Sequence, residues 1–360
     1  MAIRDETRML LESMQRLFED KCTKQVVDRA EKGEFPTTLW QAVSETGVPL
    51  AALPESAGGA DAEWSDLFAV LRVAGRYAAP IPLAETMLAG WIAAAAGFEL
   101  TDQSMTVGPV RAGDSLKVER DGNGWRLSGQ ASRLPYARAV QRIVLIADGP
   151  HEEMAVVLEG TENAEVTQGR NIAGEPRDSL TFSGSRLAAD AVAPITGGTS
   201  RAALYRRGAL ARATMMSGAL ERAIDLAVTY AQERQQFGRP ISKFQAVQQN
   251  LAVLAGQTAA AVAAANVGIV ALSRNDPDAE EFHIAIAKTR VGEAATLACE
   301  IAHQVHGAIG FTQEYALQLS TRRLWSWREE FGADVEWAAR IGNFIAARGA
   351  DQLWPTLTEL

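Results

Sequence analysis

Arg234-Gln-Gln-Phe237-Gly238-Arg239-Pro240-Ile241-Ser-Lys-Phe244-Gln245 sits between two long apolar-periodic runs, and Gln304-Val-His306-Gly307-Ala-Ile-Gly310 closes a third. As a plain inter-helix turn, the first stretch would use Gly238 to cap one helix and Pro240 to open the next. That reading leaves unexplained why Arg234, Arg239, Phe237 and Gln245 gather where helix ends meet. An arginine fork matches a pyrophosphate, a phenyl ring offers a face or edge to a sugar or base, and a glutamine brings an amide pair. With the amide and two glycines of the second stretch, these groups suit a large phosphorylated cofactor with a flat ring, held at a helix-bundle surface.

On either side, apolar faces recur at helical spacing over about 200–236, 241–273, 277–307 and 333–349. Their connections are short, as in an antiparallel bundle. Thr199 or Ser200 is placed to cap the first of these helices. Upstream, between about 101 and 196, the period shortens. Trp125-Arg-Leu-Ser-Gly129, Ile143-Val-Leu-Ile146, Met154-Ala-Val-Val-Leu158 and Leu180-Thr-Phe-Ser183 are β-branched or alternating, with turns such as Asp121-Gly-Asn-Gly124 between them. The first hundred residues return to helical spacing: Met9, Leu10, Met14, Leu17 and Phe18, then Trp40 to Val48, then 61–76 and 87–96. The Leu53-Pro-Glu-Ser-Ala-Gly58-Gly59 loop lies among them, and Pro80 and Pro82 forbid a continuous helix. The expected fold class is α+β multidomain: an all-α segment 1–100, a small β-barrel 101–196 and a four-helix bundle 197–360.

Bulk properties narrow the functions. A net charge of -9 argues against nucleic acid or an anionic membrane surface as a partner. Two cysteines, Cys22 and Cys299, make no disulfide framework, and four histidines without matching carboxylates make no metal site. The opening Met-Ala-Ile-Arg-Asp-Glu has no apolar core behind its charges, so a cytoplasmic location is expected. The apolar run 259–272, broken by Asn266, falls short of the roughly 20 residues that span a bilayer and reads as a helix buried on most sides. Nucleophile elbows, phosphate-cradling glycine loops and dinucleotide fingerprints are absent from the sequence.

Over essentially its whole length the chain resembles the acyl-CoA dehydrogenase family. The resemblance is carried by the 53–59 loop, by Trp125-Arg-Leu-Ser-Gly129, and above all by the 234–245 and 304–310 stretches. It implies an oxidoreductase that removes hydrogens from the α and β carbons of an acyl-CoA thioester. A carboxylate takes the α-proton, FAD accepts the hydride, and a further electron acceptor reoxidises the flavin. It also implies that Arg234, Phe237 and Gln245 contact the adenosine and pyrophosphate of an FAD lying mostly in a neighbouring subunit. Gln304, Gly307 and Gly310 would approach the same dinucleotide, with Ala308 where a second glycine is common.

The chain also departs from the family pattern. The family's base is usually a Glu directly before Gly-Thr; here the register on Gly332 gives Phe331-Gly332-Ala333, with Glu330 one residue and Glu329 two residues away. An alternative family position, on the first bundle helix, falls on Gly208 between Arg207 and Ala209. The segments that cover the flavin ring are replaced by Thr106-Val-Gly108-Pro109-Val and Ser132-Arg-Leu134-Pro-Tyr136. Adenosine-side residues are kept while ring-side and base residues are lost. That asymmetry, and Thr321-Arg-Arg-Leu-Trp325-Ser-Trp327, resemble the partner-type subunit of heteromeric enzymes that shorten steroid side chains. Two related chains there share one FAD, and the sister supplies the catalytic Glu. The remaining readings are a self-sufficient homo-oligomer using Glu330 as base and a cofactor-free structural subunit.

Overall fold

The computed structural model describes residues 4–100, 102–274 and 276–358. Five helices come first: α1 (Asp5–Lys21), α2 (Lys24–Glu31), α3 (Thr37–Ser44), α4 (Trp64–Arg76) and α5 (Leu83–Ala95). α1 carries Asp5 and Glu6 in its first turn and Lys21 in its last, the order the helix dipole favours, and buries Met14 and Phe18. α4 begins at Trp64 rather than at Asp61, because Asp61 has φ +50° and cannot enter a right-handed helix. α5 starts immediately beyond Pro82, so the proline break falls where the sequence places it.

The middle of the chain is one eight-stranded sheet. Its strands are β1 (Met105–Gly108), β2 (Ser115–Asp121), β3 (Gly124–Pro135), β4 (Arg142–Asp148), β5 (Glu153–Glu159), β6 (Glu165–Thr167), β7 (Arg177–Leu187) and β8 (Val192–Pro194). The order is β6-β7-β3-β2-β4-β5-β8, with β1 parallel against β4. Ile143 to Ala147 of β4 are all buried, which is why they read as a continuous apolar run. β6 and β8 are three residues long, too short for their periodicity to show in the sequence.

Helices then resume: α6 (Arg201–Glu233), a hairpin of β9 (Gln235–Gln236) and β10 (Arg239–Pro240), α7 (Gln245–Ala271), α8 (Pro277–His306), α9 (Leu317–Arg328), α10 (Asp334–Arg348) and α11 (Leu353–Thr358). Ser200 caps α6, its hydroxyl accepting from the Ala203 N–H at 3.1 Å. Asp276 caps α8 with Pro277 in the first helical turn.

By internal contacts the chain forms two compact units, 1–24 with 68–79 and 209–360, and 25–67 with 80–208. In the first, α4 meets α6 backbone to backbone. A Cβ at Gly75 would overlap the Met215 carbonyl, and one at Gly218 the Arg72 carbonyl. Only glycine permits that crossing. In the second unit, Leu88, Ala89, Ile92 and Ala93 of α5 pack on Met105, Val107, Val144, Ile146 and Ala155 of the sheet.

α7 departs from its expectation of burial on most sides. Leu254, Thr258, Ala261 and Ala265 are buried, but Ala252, Val253, Ala255, Gly256, Ala259 and Ala263 are exposed. Its 27 residues are long and apolar enough to cross a membrane, although its buried stripe packs along α8 as a bundle helix. A Cβ at Gly256 would meet nothing within 4 Å. The roughly 1 kcal/mol that a mid-helix glycine costs therefore has no offset inside this chain.

Candidate functional site

The 234–245 stretch is a strained, exposed projection. α6 ends with the Arg234 N–H donating to the Tyr230 carbonyl at 2.8 Å, and the Arg234 carbonyl accepts from Ile241 N–H at 2.8 Å. Gln236 pairs with Arg239 and Gln235 with Pro240. The two linking residues, Phe237 and Gly238, have φ of +52° and +75°, as a type I′ hairpin requires. This corrects the simple turn expected from sequence. Gly238 is the second hairpin residue, not a helix cap, and α7 begins at Gln245 after the 3-10 turn Ile241–Lys243. A phenylalanine in the left-handed region costs about 1–2 kcal/mol. Phe237 is nevertheless 92% exposed, meeting Phe244 edge-on at 6.1 Å. The Arg239 guanidinium covers the Phe244 ring at 4.3 Å, and Arg234 and Gln245 are exposed beside it.

The second stretch closes α8. Gly307, at φ +64°, returns its N–H to the His303 carbonyl and opens the turn Gly307–Phe311. Gln304 and Gly307 are exposed, while Gly310 is buried. A Cβ on Gly310 would stand 3.0 Å from His306 Cβ and 3.1 Å from His303 Nδ1. The two stretches are joined through Tyr230, whose ring stacks on His306 with centroids 4.6 Å apart.

Glu330 lies in the tight link between α9 and α10, where Phe331 and Gly332 have φ of +53° and +89°. The Arg212 Nε donates to Glu330 Oε2 at 2.7 Å, with the Arg212 side chain 2% and that of Glu330 16% exposed. Around them, Arg328 donates to Asp334 Oδ2 at 2.7 Å and to Thr296 Oγ1 at 2.9 Å. Trp337 Nε1 donates to the Phe331 carbonyl at 2.9 Å. Lys288, wholly buried, donates to the carbonyls of Trp327 at 3.3 Å and Arg328 at 2.5 Å, capping α9 with a cation. Glu330 therefore belongs to a clamped ionic knot. Sequence reasoning did not single out Arg212 or Lys288, although Arg212 is a lone cation inside an apolar helical run and Lys288 follows the apolar Ile284 to Ala287.

Burial pushes the Lys288 ammonium from the ordinary 10.5 down to about 7, against the opposing charges of Glu330, Glu329 and Asp334. Between those two values the unfolded chain holds a proton that the folded chain lacks, so stability rises with pH across that window. Below it both states are protonated and the dependence vanishes. Lys288→Met is expected to remove up to about 1.4 kcal/mol per pH unit of that slope, read from urea midpoints at about pH 7.5 and pH 9.5.

The two segments that stand where the family covers its flavin ring pack on each other. Thr106 donates its hydroxyl to the Pro135 carbonyl at 2.6 Å. The Leu134 side chain fills the space a Cβ on Gly108 would need. Tyr136 is buried, with the Arg177 guanidinium 5.5 Å from its ring centroid, and Arg177 pairs with Glu175 at 2.9 Å. At the alternative base position Gly208 lies within α6, and its neighbour Arg207 stands 4.0 Å from the Trp91 ring and 4.8 Å from Trp64.

Comparison with known proteins agrees with the order of elements. The acyl-CoA dehydrogenase N-terminal domain model matches residues 4–103 and the C-terminal domain model residues 202–334, together nearly two thirds of the chain. The acyl-CoA dehydrogenase IpdE2 of Mycolicibacterium smegmatis is 26% identical over 322 residues, covering 89% of this chain and 92% of that one. A chain of the ChsE4-ChsE5 complex from Mycobacterium tuberculosis shares the fold with TM-score 0.87 at 21% identity, over 97% of this chain and 99% of the other. A chain of a Tcur3481-Tcur3483 steroid ACAD variant does so with TM-score 0.85 at 24% identity, over 95% and 98%. The chain belongs to the acyl-CoA dehydrogenase family, FAD-dependent oxidoreductases that act on acyl-CoA.

Proposed function

We propose that this chain is a partner-type acyl-CoA dehydrogenase subunit that shares one FAD site with a sister chain. Arg234, Phe237 and Gln245, with Gln304, Gly307 and Gly310, hold the adenosine and pyrophosphate of an FAD seated mostly in the sister. The sister supplies the ring-covering segments and the catalytic Glu. When bound, FAD supplies the hydride acceptor for α,β-dehydrogenation of the thioester. The three segments 1–100, 101–196 and 197–360 serve as helical wall, sheet domain and cofactor-contacting bundle.

The observation that carries this reading is Phe237, a left-handed aromatic at 92% exposure on a hairpin flanked by Arg234 and Gln245. Its strain and exposure suit a group presented to another chain. The donor set fits a nucleotide tail, whereas the 106–110 and 132–136 segments lack the indole and hydroxyl pattern the family places over the flavin ring. A clamped Glu330 supports a base from elsewhere, since the Arg212 guanidinium holds the carboxylate in a buried ion pair. The exposed small-residue face of α7 supplies an oligomer contact, with Gly256 allowing close approach. The substrate is a CoA thioester of a bulky, steroid-like acyl group, in the cytoplasm, with a separate electron-transfer protein reoxidising the flavin.

Purification with and without a sister chain tests this. Alone, the protein is expected to be colourless and inert toward acyl-CoA. Co-expressed, it is expected to be yellow and to bleach on addition of acyl-CoA. A yellow lone chain bleached by acyl-CoA would establish instead the homo-oligomer that uses Glu330, and a colourless complex the purely structural subunit.

A further inference from the structure

Two short segments proposed to hold one nucleotide tail need a fixed spacing, yet one is the hairpin after α6 and the other the turn that closes α8. Between them is a three-ring cluster. Tyr230, one helical turn before Arg234, stacks on His306 at 4.6 Å and 24°. Tyr315 stands edge-on to Tyr230 at 6.0 Å and tilted against His306 at 4.9 Å. His306 is 3% exposed and anchored, its Nδ1 lying 2.7 Å from the Ala302 carbonyl in the position of a donor. Its Cβ is also what a side chain at Gly310 would strike. One residue thus joins the two: its ring stacks on the helix that ends in the Arg234 hairpin, and its Cβ borders the turn that carries Gly307 and Gly310.

We infer that His306, clasped by Tyr230 and Tyr315, is a positioning residue that holds the Arg234 hairpin and the 307–311 turn at one spacing. Aromatic stacking suits this task, because offset rings attract one another beyond the area they bury and prefer a defined geometry. Burial pushes the His306 imidazole below the usual histidine range, which keeps it an uncharged ring in that stack. The inference rests on the proposed nucleotide contacts for its purpose, but the mechanical coupling is a property of this chain.

Hydrogen exchange of the full chain, with and without its sister, separates the two. In His306→Ala, amides of 233–245 and of 303–312 are expected to exchange together about tenfold faster, while those of β4 and β5 stay unchanged. His306→Phe, which keeps a flat ring, is expected to restore both segments. Loosening confined to 303–312, or failure of the phenylalanine to restore the hairpin, would overturn the coupling. FAD titration of the assembled pair is the second arm. Coupled loosening with unchanged FAD affinity would sink the nucleotide-contact reading on which the purpose rests, and leave the clasp standing.

Discussion

Arg234→Ala combined with Phe237→Gly is expected to strip FAD from the assembled enzyme while leaving this chain as stable as before. The arginine fork on a pyrophosphate is worth about 1.5–3 kcal/mol, and an aromatic contact about 0.5–1.5 kcal/mol. Together they predict FAD retention weakened roughly 10²- to 10³-fold. The second substitution separates this from misfolding. Phe237 has φ +52°, and glycine at that position relieves about 1 kcal/mol of strain without loss of a buried contact. Thermal melting of the isolated chain should show no fall in Tm, and fluorescence titration of the complex should show the loss of FAD. Retained FAD affinity in the complex would remove the hairpin from the cofactor site.

Glu330→Gln has the opposite signature: a large effect on stability and little on turnover. Its partner Arg212 is 2% exposed, so neutralising Glu330 takes a counter-charge away from a buried guanidinium. Breaking such a pair costs about 3–5 kcal/mol. Exposure of Glu330 at 16% places the expectation at the lower end, about 3 kcal/mol from urea unfolding. If Glu330 took the substrate proton, the same substitution would lower kcat by the 10²- to 10⁴-fold typical of a general base. With the base on the sister chain, kcat/KM of the complex should change by less than about threefold at a temperature where the variant is folded.

The legible parts of this molecule were those carried by local periodicity and by groups at helix ends. The bundle helices, the proline break before α5 and the Asp121-Gly-Asn-Gly124 turn all follow from spacing or backbone chemistry, and the structure places them accordingly. The hairpin at 235–240 was not legible, because its type I′ turn uses phenylalanine where asparagine or glycine normally signals one. Nor was the exposed face of α7: Ala and Gly have no pattern that distinguishes a buried stripe from an exposed one. At the site, Arg234 and Phe237 were visible as residue types out of place in a turn. Arg212 and Lys288 were missed because what matters is their long-range meeting with the 327–334 link, which spacing along the chain does not encode. The contact of Thr106 with Pro135 and of Leu134 with Gly108 likewise joins two segments about thirty residues apart, a pairing that spacing along the chain does not encode.

Native mass spectrometry of the co-purified assembly resolves where the flavin sits. One FAD for each pair of unlike chains is expected, with none carried by any oligomer built from this chain alone. A like-with-like oligomer holding one FAD per subunit would contradict the division of labour between the two chains.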